Sequence, residues 1–260
     1  MPRRASLIPS RRGLLDVLVL EDARALGVDA FVTTRAGGVS DPPYDSLNLG
    51  DHVGDDPARV RENRQRVADA AGVAEDALIV VNQVHGREVV EVLRARDAAS
   101  ASAAALVTSS PDVALAILVA DCVPVLLVDA NHGRLAVAHA GWRGLVAGVL
   151  ESVLAQFGRL EDVHAFIGPA ISGDRYQVGP EVAAHFTDVP GARRPDRGDR
   201  GDRSMLDLTR VVEHRLRDAG VSGEHVRACT ERTDDDALFF SDRAVRPCGR
   251  FALVARRHVA

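Results

Sequence analysis

Two residues in the stretch VADCVPVLLVDANHGRLAVAHAGWRGL (119–145) are out of keeping with the apolar runs around them. Cys122 follows Asp121 and precedes PVLLVD (124–129). His139 stands near the end of RLAVAHA (134–140), just ahead of Gly141-Trp142-Arg143-Gly144. A thiol and an imidazole make a soft ligand set for a metal, and equally a nucleophile with its base. The plainer reading is two core residues, because cysteine is among the most buried residue types. The intervening turn Ala130-Asn131-His132-Gly133 suits a hairpin loop. If Asp129 faces Arg134, Pro124 lies opposite His139. Cys122 then falls on the same side, with its backbone roughly 7–8 Å from that of His139. The same register sends His132 to the far, turn end.

His85, leaving an apolar run in NQVHG, is a third candidate. A thiolate with two imidazoles suits Zn²⁺ and leaves a fourth position open, the pattern of catalytic zinc sites. Such a set also suits copper. Electron-transfer copper sites often add an axial Met, however, and the only methionines, Met1 and Met205, adjoin none of these motifs. Gly141–Gly144 reads as a helix start. Its free N–H groups and the Arg143 guanidinium would form an anion site, with Arg35 supplying another positive charge. The sole Trp, Trp142, reads as a packed cover for the hairpin.

Elements must carry these residues. AFVTTR (30–35) reads as a strand running into Gly37-Gly38. DDPARVRENRQRVADAAG reads as a helix capped by Asp56, with Pro57 in its first turn and Gly72 as its stop. ALIVVNQV, REVVEVL, ALAILVA, PVLLVD, RLAVAHA, HAFIGPAI and RFALVARR read as strands. Those of the central region lack polar alternation and so expect burial on both faces. Leu145 to Phe157 follow helical spacing up to Gly158, and LTRVVEHRLRDAG forms another helix. AASASAAALVTSSPD reads as a surface loop, and the Pro/Gly/Arg/Asp-rich segment at about 187–204 as a mobile excursion. Residues 1–29 read as a lead-in and 30–260 as one α+β domain, with no internal repeat and no linker.

Bulk properties limit the partners. The chain has 260 residues, 46% of them hydrophobic and 27% charged, and a net charge of -5. That balance gives no reason to expect nucleic acid or an anionic membrane as a partner. All 32 basic residues are Arg. Three widely spaced cysteines make no disulfide framework, so a reducing cytoplasm is expected. Asp16 and Glu21 interrupt the apolar N-terminal stretch, and no run reaches the length of a membrane span.

TTRAGGVS, SLNLGDHVGDDP, NQVHG, ADCVPVLLVD, AVAHAGWRGL, IGPAIS with YQVGPEV, and FFSDR with CGRFAL follow one another in the order of one family. From about residue 30 onward the chain resembles the multicopper polyphenol oxidase or laccase-domain family. Its members are also described as YfiH-type purine nucleoside phosphorylases and as peptidoglycan editing factors. The resemblance implies a single α+β domain of mixed sheets flanked by helices, layered α/β/β/α. It implies one metal held by His85, Cys122 and His139. It also implies phosphorolysis of adenosine, inosine and methylthioadenosine, with deamination of adenosine to inosine. Asp242 stands where the family usually has Tyr, which bears on substrate preference.

Under that reading Arg35 and Arg143 would hold phosphate, Asn48 and Gln83 would read base or ribose, and Asp121 would carry a proton beside Zn²⁺. Partners are then small nucleosides and phosphate, with no nucleic acid and no membrane, for a cytoplasmic monomer or homodimer. Two other readings stand beside it. One is a copper-dependent polyphenol oxidase, although the chain has no His-x-His pair to feed a copper cluster. The other is an amide hydrolase of peptidoglycan precursors, with Cys122 as nucleophile and His139 or His85 as base, or with a metal-bound water attacking the amide.

Overall fold

The computed structural model describes residues 3–98, 101–196, 202–234 and 237–258. Two mixed sheets lie face to face. The seven-stranded sheet runs Arg3–Arg4, Val226–Ala228, His164–Ile167, Val123–Asp129, Arg134–Ala140, Ala105–Thr108 and Val89–Glu91. The six-stranded sheet runs Leu7–Arg12, Leu15–Leu20, Val28–Thr33, Phe251–Arg257, Ala114–Val119 and Leu78–Ile79.

Period-two alternation assigns each strand face to a layer. Along the hairpin, Leu126, Val128, Leu135 and Val137 enter the core shared with the other sheet, beside Ile117, Phe251 and Leu253. Val125, Leu127, Ala136 and Ala138 point the other way, onto Leu150, Val153, Val211 and Leu216 of the helical layer. The outer face of the six-stranded sheet packs Phe31, Leu118 and Val254 against Val67 and Ala71 of the helix Pro57–Ala71. Four layers result, so the hairpin is covered on both sides and carries apolar residues throughout its middle.

Local signals held where caps are strong. The Asp56 side chain accepts from the Ala58 N–H, and Gly72 closes the helix at φ 68°. Elsewhere the structure differs from expectation. The helix read over 145–157 is two pieces, Trp142–Ala147 and Val149–Leu154, because Gly148 takes φ 89° between them. The segment read as a surface loop contains Ala105–Thr108, which is fully buried and pairs with Arg134–Ala140. Alanine and valine pack there as well as larger residues do. Residues 1–29 are no separate lead-in: Leu15–Leu20 pairs with Val28–Thr33 inside the six-stranded sheet. Of the excursion at 187–204, residues 197–201 lie outside the described residues. Its flanks, Arg193–Pro195 and Ser204–Leu206, form a small sheet with Gln177–Val178. No described helix is long and apolar enough to cross a membrane.

Leu126 is fully buried between the sheets. Leu126→Ala should cost about 3 kcal/mol of unfolding free energy and lower Tm by roughly 6–12 °C, read by denaturant and thermal unfolding.

Candidate metal centre

Pairing across the hairpin sets Pro124 against His139 and Val123 against Ala140. Cys122 therefore sits at the mouth of the turnless end, on the face shared with Leu135, Val137 and His139, and packs at the margin of the intersheet core. His132 lies at the opposite end, its Nδ1 2.8 Å from Asp129 Oδ2. His85 arrives from a third direction. Asn82–Gln83 pairs in parallel with Ser102–Ala103. The Gln83 amide then imitates a strand partner: Nε2 donates to Leu118 O at 2.6 Å and Oε1 accepts from Leu118 N at 3.0 Å. That double bond fixes the loop two residues before His85.

The ligand atoms of His85, Cys122 and His139 all lie within 4.8 Å of one another, and the two rings meet edge to face at 4.8 Å between centroids. Glycines make this approach possible. A Cβ on Gly141 would stand 2.9 Å from Cys122 Sγ and 3.4 Å from His85 Cδ2, and one on Gly144 would stand 3.2 Å from the Gly86 carbonyl oxygen. The trio grades from the exposed His85 through the half-buried Cys122 to the buried His139.

Desolvation sets the electrostatics. Burial pushes the Cys122 thiol up to about 12; Asp121 and Asp242 add to the rise, and Arg250 and Arg143 oppose it. Burial, then His85 and Arg250, push His139 down to about 3. His85 is lowered by burial and then by Arg143, Arg250 and His52. Both imidazoles are thus neutral and ready to donate a lone pair at neutral pH, while the thiol keeps its proton until a cation displaces it.

The donor set fits a soft or borderline divalent cation, Zn²⁺ or Cu²⁺. The bare backbone of Gly141 packs directly against Cys122 and His85, and His139 Nδ1 is buried with no hydrogen-bond partner. Among the described residues this is the only such cluster of three.

The other sequence candidates divide. Arg143 is exposed, stacks over Trp142 at 4.4 Å, and lies near enough to act on His85 and Cys122. Trp142 is half-buried against the helical-side core. The helix it begins has only six residues, so little dipole supports an anion there and Arg143 itself must do so. Arg35 is turned to Asp45, with Nε 3.0 Å from its carbonyl oxygen, and lies over Phe240. Asn48 is fully buried and structural: it donates to Gly50 O and Asp55 Oδ2 and accepts from the N–H groups of Gly50 and Arg250. Its amide is taken up by these partners, as the Gln83 amide is by Leu118. Asp121 is likewise committed. Its carboxylate accepts from Thr233 Oγ1, Ser241 Oγ and the Arg243 N–H at 2.6–2.7 Å, which leaves it anchoring rather than carrying protons.

Three residues near the trio escaped the sequence reading. Arg250 is bound to the Cys248 and Gly249 carbonyls and to Asp242, and it acts on all three ligands. Tyr176 carries Arg243 over its ring at 5.0 Å, and burial, then Cys122, holds its hydroxyl at about 12. His52 flanks His85. An Arg directly ahead of the apolar run FALVA was the one signal available for Arg250.

Two outcomes follow from the geometry. Gly141→Ala should weaken Zn²⁺ affinity roughly tenfold or more while leaving the unfolding midpoint nearly unchanged, by competition with a chromophoric chelator. Metal uptake at pH 7.5 should release about one proton, from Cys122 alone, because both histidines sit below that pH and the thiol above it. Calorimetry in buffers of different ionisation enthalpy reads the number.

Residues 29–258 match the family described as multi-copper polyphenol oxidoreductase laccase. A purine nucleoside phosphorylase of Mycobacterium tuberculosis is 43% identical over 226 residues, covering 85% of this chain and 88% of that protein. The purine nucleoside phosphorylase YfiH of Escherichia coli is 40% identical over 231 residues, covering 87% and 92%. The crystal structure of YlmD from Geobacillus stearothermophilus superposes with a TM-score of 0.88 at 32% identity, over 98% of this chain and 100% of that one. With its fold and three candidate ligands in this arrangement, the chain belongs to the multi-copper polyphenol oxidoreductase laccase family, the group that holds the YfiH-type proteins.

Proposed function

We propose that the protein is a zinc-dependent purine nucleoside phosphorylase. It would cleave adenosine, inosine and methylthioadenosine with phosphate to the base and the (methylthio)ribose 1-phosphate, and would also deaminate adenosine to inosine. The observation that carries the proposal is one half-open His-Cys-His cluster, with Arg143 and Arg250 acting on it, in a chain whose relatives are named purine nucleoside phosphorylases.

A metal held by His85, Cys122 and His139 would supply Lewis-acid chemistry there. The rest falls to the chain. Arg143, exposed and steadied by Trp142, presents its guanidinium to phosphate. Arg250, tied down by Cys248, Gly249 and Asp242, gives a fixed positive background. In phosphorolysis a phosphate oxygen bonds the anomeric carbon while the bond from that carbon to the base nitrogen breaks. The electron pair leaves on the base, which takes a proton. Tyr176, held protonated at neutral pH and close to Cys122, would donate that proton.

The other readings meet specific difficulties. Multi-copper oxidation needs several metal clusters, and the described residues offer one. A cysteine nucleophile needs a lowered pKa, and Cys122 is shifted the opposite way.

Adenosine incubated with and without phosphate tests the proposal. Adenine release should require phosphate and yield ribose 1-phosphate, whereas inosine formation should not require it. Arg143→Ala should reduce phosphorolysis by roughly tenfold or more and deamination far less, and His139→Ala should abolish both. Nucleosides left intact while phenols are oxidised with added copper, or while an amide-linked cell-wall precursor is cleaved, would overturn it.

A further inference from the structure

Asp121 is the one non-glycine among the described residues at positive φ, 91°. It is buried, and it immediately precedes Cys122. Its carboxylate collects three donors: Thr233 Oγ1 at 2.6 Å and Ser241 Oγ at 2.7 Å on one oxygen, and the Arg243 N–H at 2.7 Å on the other. Its own carbonyl accepts from the Ile171 N–H at 3.0 Å. Every donor to the carboxylate comes from the segment 233–243, far away in sequence.

That segment does more than anchor Asp121. The Arg243 guanidinium lies over the Tyr176 ring and donates to Gln177 O at 2.9 Å, so a chain of contacts runs from Asp121 through Arg243 to Tyr176. Asp242, between two residues bound to Asp121, pairs with Arg250 and Arg246. A left-handed backbone is unfavourable for a residue with a Cβ, and glycine would occupy it freely. The three donors on the Asp121 carboxylate are what offset that cost here.

We propose that Asp121 is a positioning residue. Its carboxylate fixes, through one set of contacts, both the turn that presents Cys122 to the metal and the wall formed by Arg243 and Tyr176 on the substrate side. The proposal rests on the metal-centre reading for its first half and on the nucleoside reading for its second. The predicted consequence is coupling: disturbing Asp121 should change metal affinity and nucleoside recognition together, although its side chain touches neither.

Asp121→Gly separates the carboxylate from the backbone, because glycine accepts the φ and removes only the acceptor. Asp121→Asn keeps an acceptor for the Arg243 N–H and tolerates the left-handed region. Titration of the metal-free, folded proteins with Co²⁺ reads affinity, and the thiolate-to-cobalt charge-transfer band reads the placement of Cys122. Asp121→Gly should bind Co²⁺ roughly tenfold to a hundredfold more weakly with a diminished band, and Asp121→Asn should recover most of both. In nucleoside kinetics, Asp121→Gly and Arg243→Ala should each raise KM, and the double variant should raise it by clearly less than the product of the two.

A merely structural role would lower the unfolding midpoint of Asp121→Gly but leave the Co²⁺ affinity and band of the folded protein as in the wild type, which would overturn the proposal. Independent effects of Asp121→Gly and Arg243→Ala on KM would overturn its second half. If the wild-type chain consumes no nucleoside, the nucleoside reading and the KM prediction fall together, and the Co²⁺ titration still decides the first half.

Discussion

Two-sided burial of the hairpin Val123–Ala140 is the constraint from which the rest follows. A strand covered on both faces has no place for a polar side chain in its middle, because an unpaired polar group there costs several kcal/mol. Functional groups are driven to the strand ends, where the layers part. Cys122 and His139 occupy that end on the face turned toward the second sheet, and the same burial withholds water from them. The fold thus creates the close approach of the ligands and their neutral forms together.

Much of this was legible in the sequence, for a reason that can be named. Hairpin register is fixed by the turn and by parity, so Cys122 and His139 could be placed on one face before any coordinates. The pairing of hydrophobic periodicity with Asp56 and Gly72 likewise located the helix Pro57–Ala71 closely. The strand Ala105–Thr108 is hidden in the sequence by its flanks, because four residues with strand preference are enclosed by small and polar ones that read as a loop. The break at Gly148 was missed because an isolated glycine inside a helical repeat is compatible with either outcome.

Polar residues near the centre were harder to sort. Asn48 and Gln83 read as contacts to base or ribose and Asp121 as a proton carrier because each lies in or beside a motif, yet every one is engaged by backbone or side-chain partners. Sequence proximity to a ligand does not distinguish a residue that holds the loop from one that meets the substrate. Arg250 shows the converse. Its closeness to the trio arises only when Cys248–Arg250 folds back across Asn48, a contact some 200 positions apart in the chain that no local pattern encodes.

The strand order has a consequence for how the molecule comes into being. Phe251–Arg257 is not an edge: it lies between Val28–Thr33 and Ala114–Val119 and is hydrogen-bonded to both. The strand Val28–Thr33 must therefore find a partner more than 200 positions further along the chain, and an apolar gap persists in the sheet until it does. Closure is an event of high contact order. Arg250 reaches the metal centre at that same moment. A chain stopped before residue 250 would keep the hairpin that sets Cys122 beside His139, and would lose Arg250 and the strand flanking Ala114–Val119, whose Leu118 holds the Gln83 loop ahead of His85.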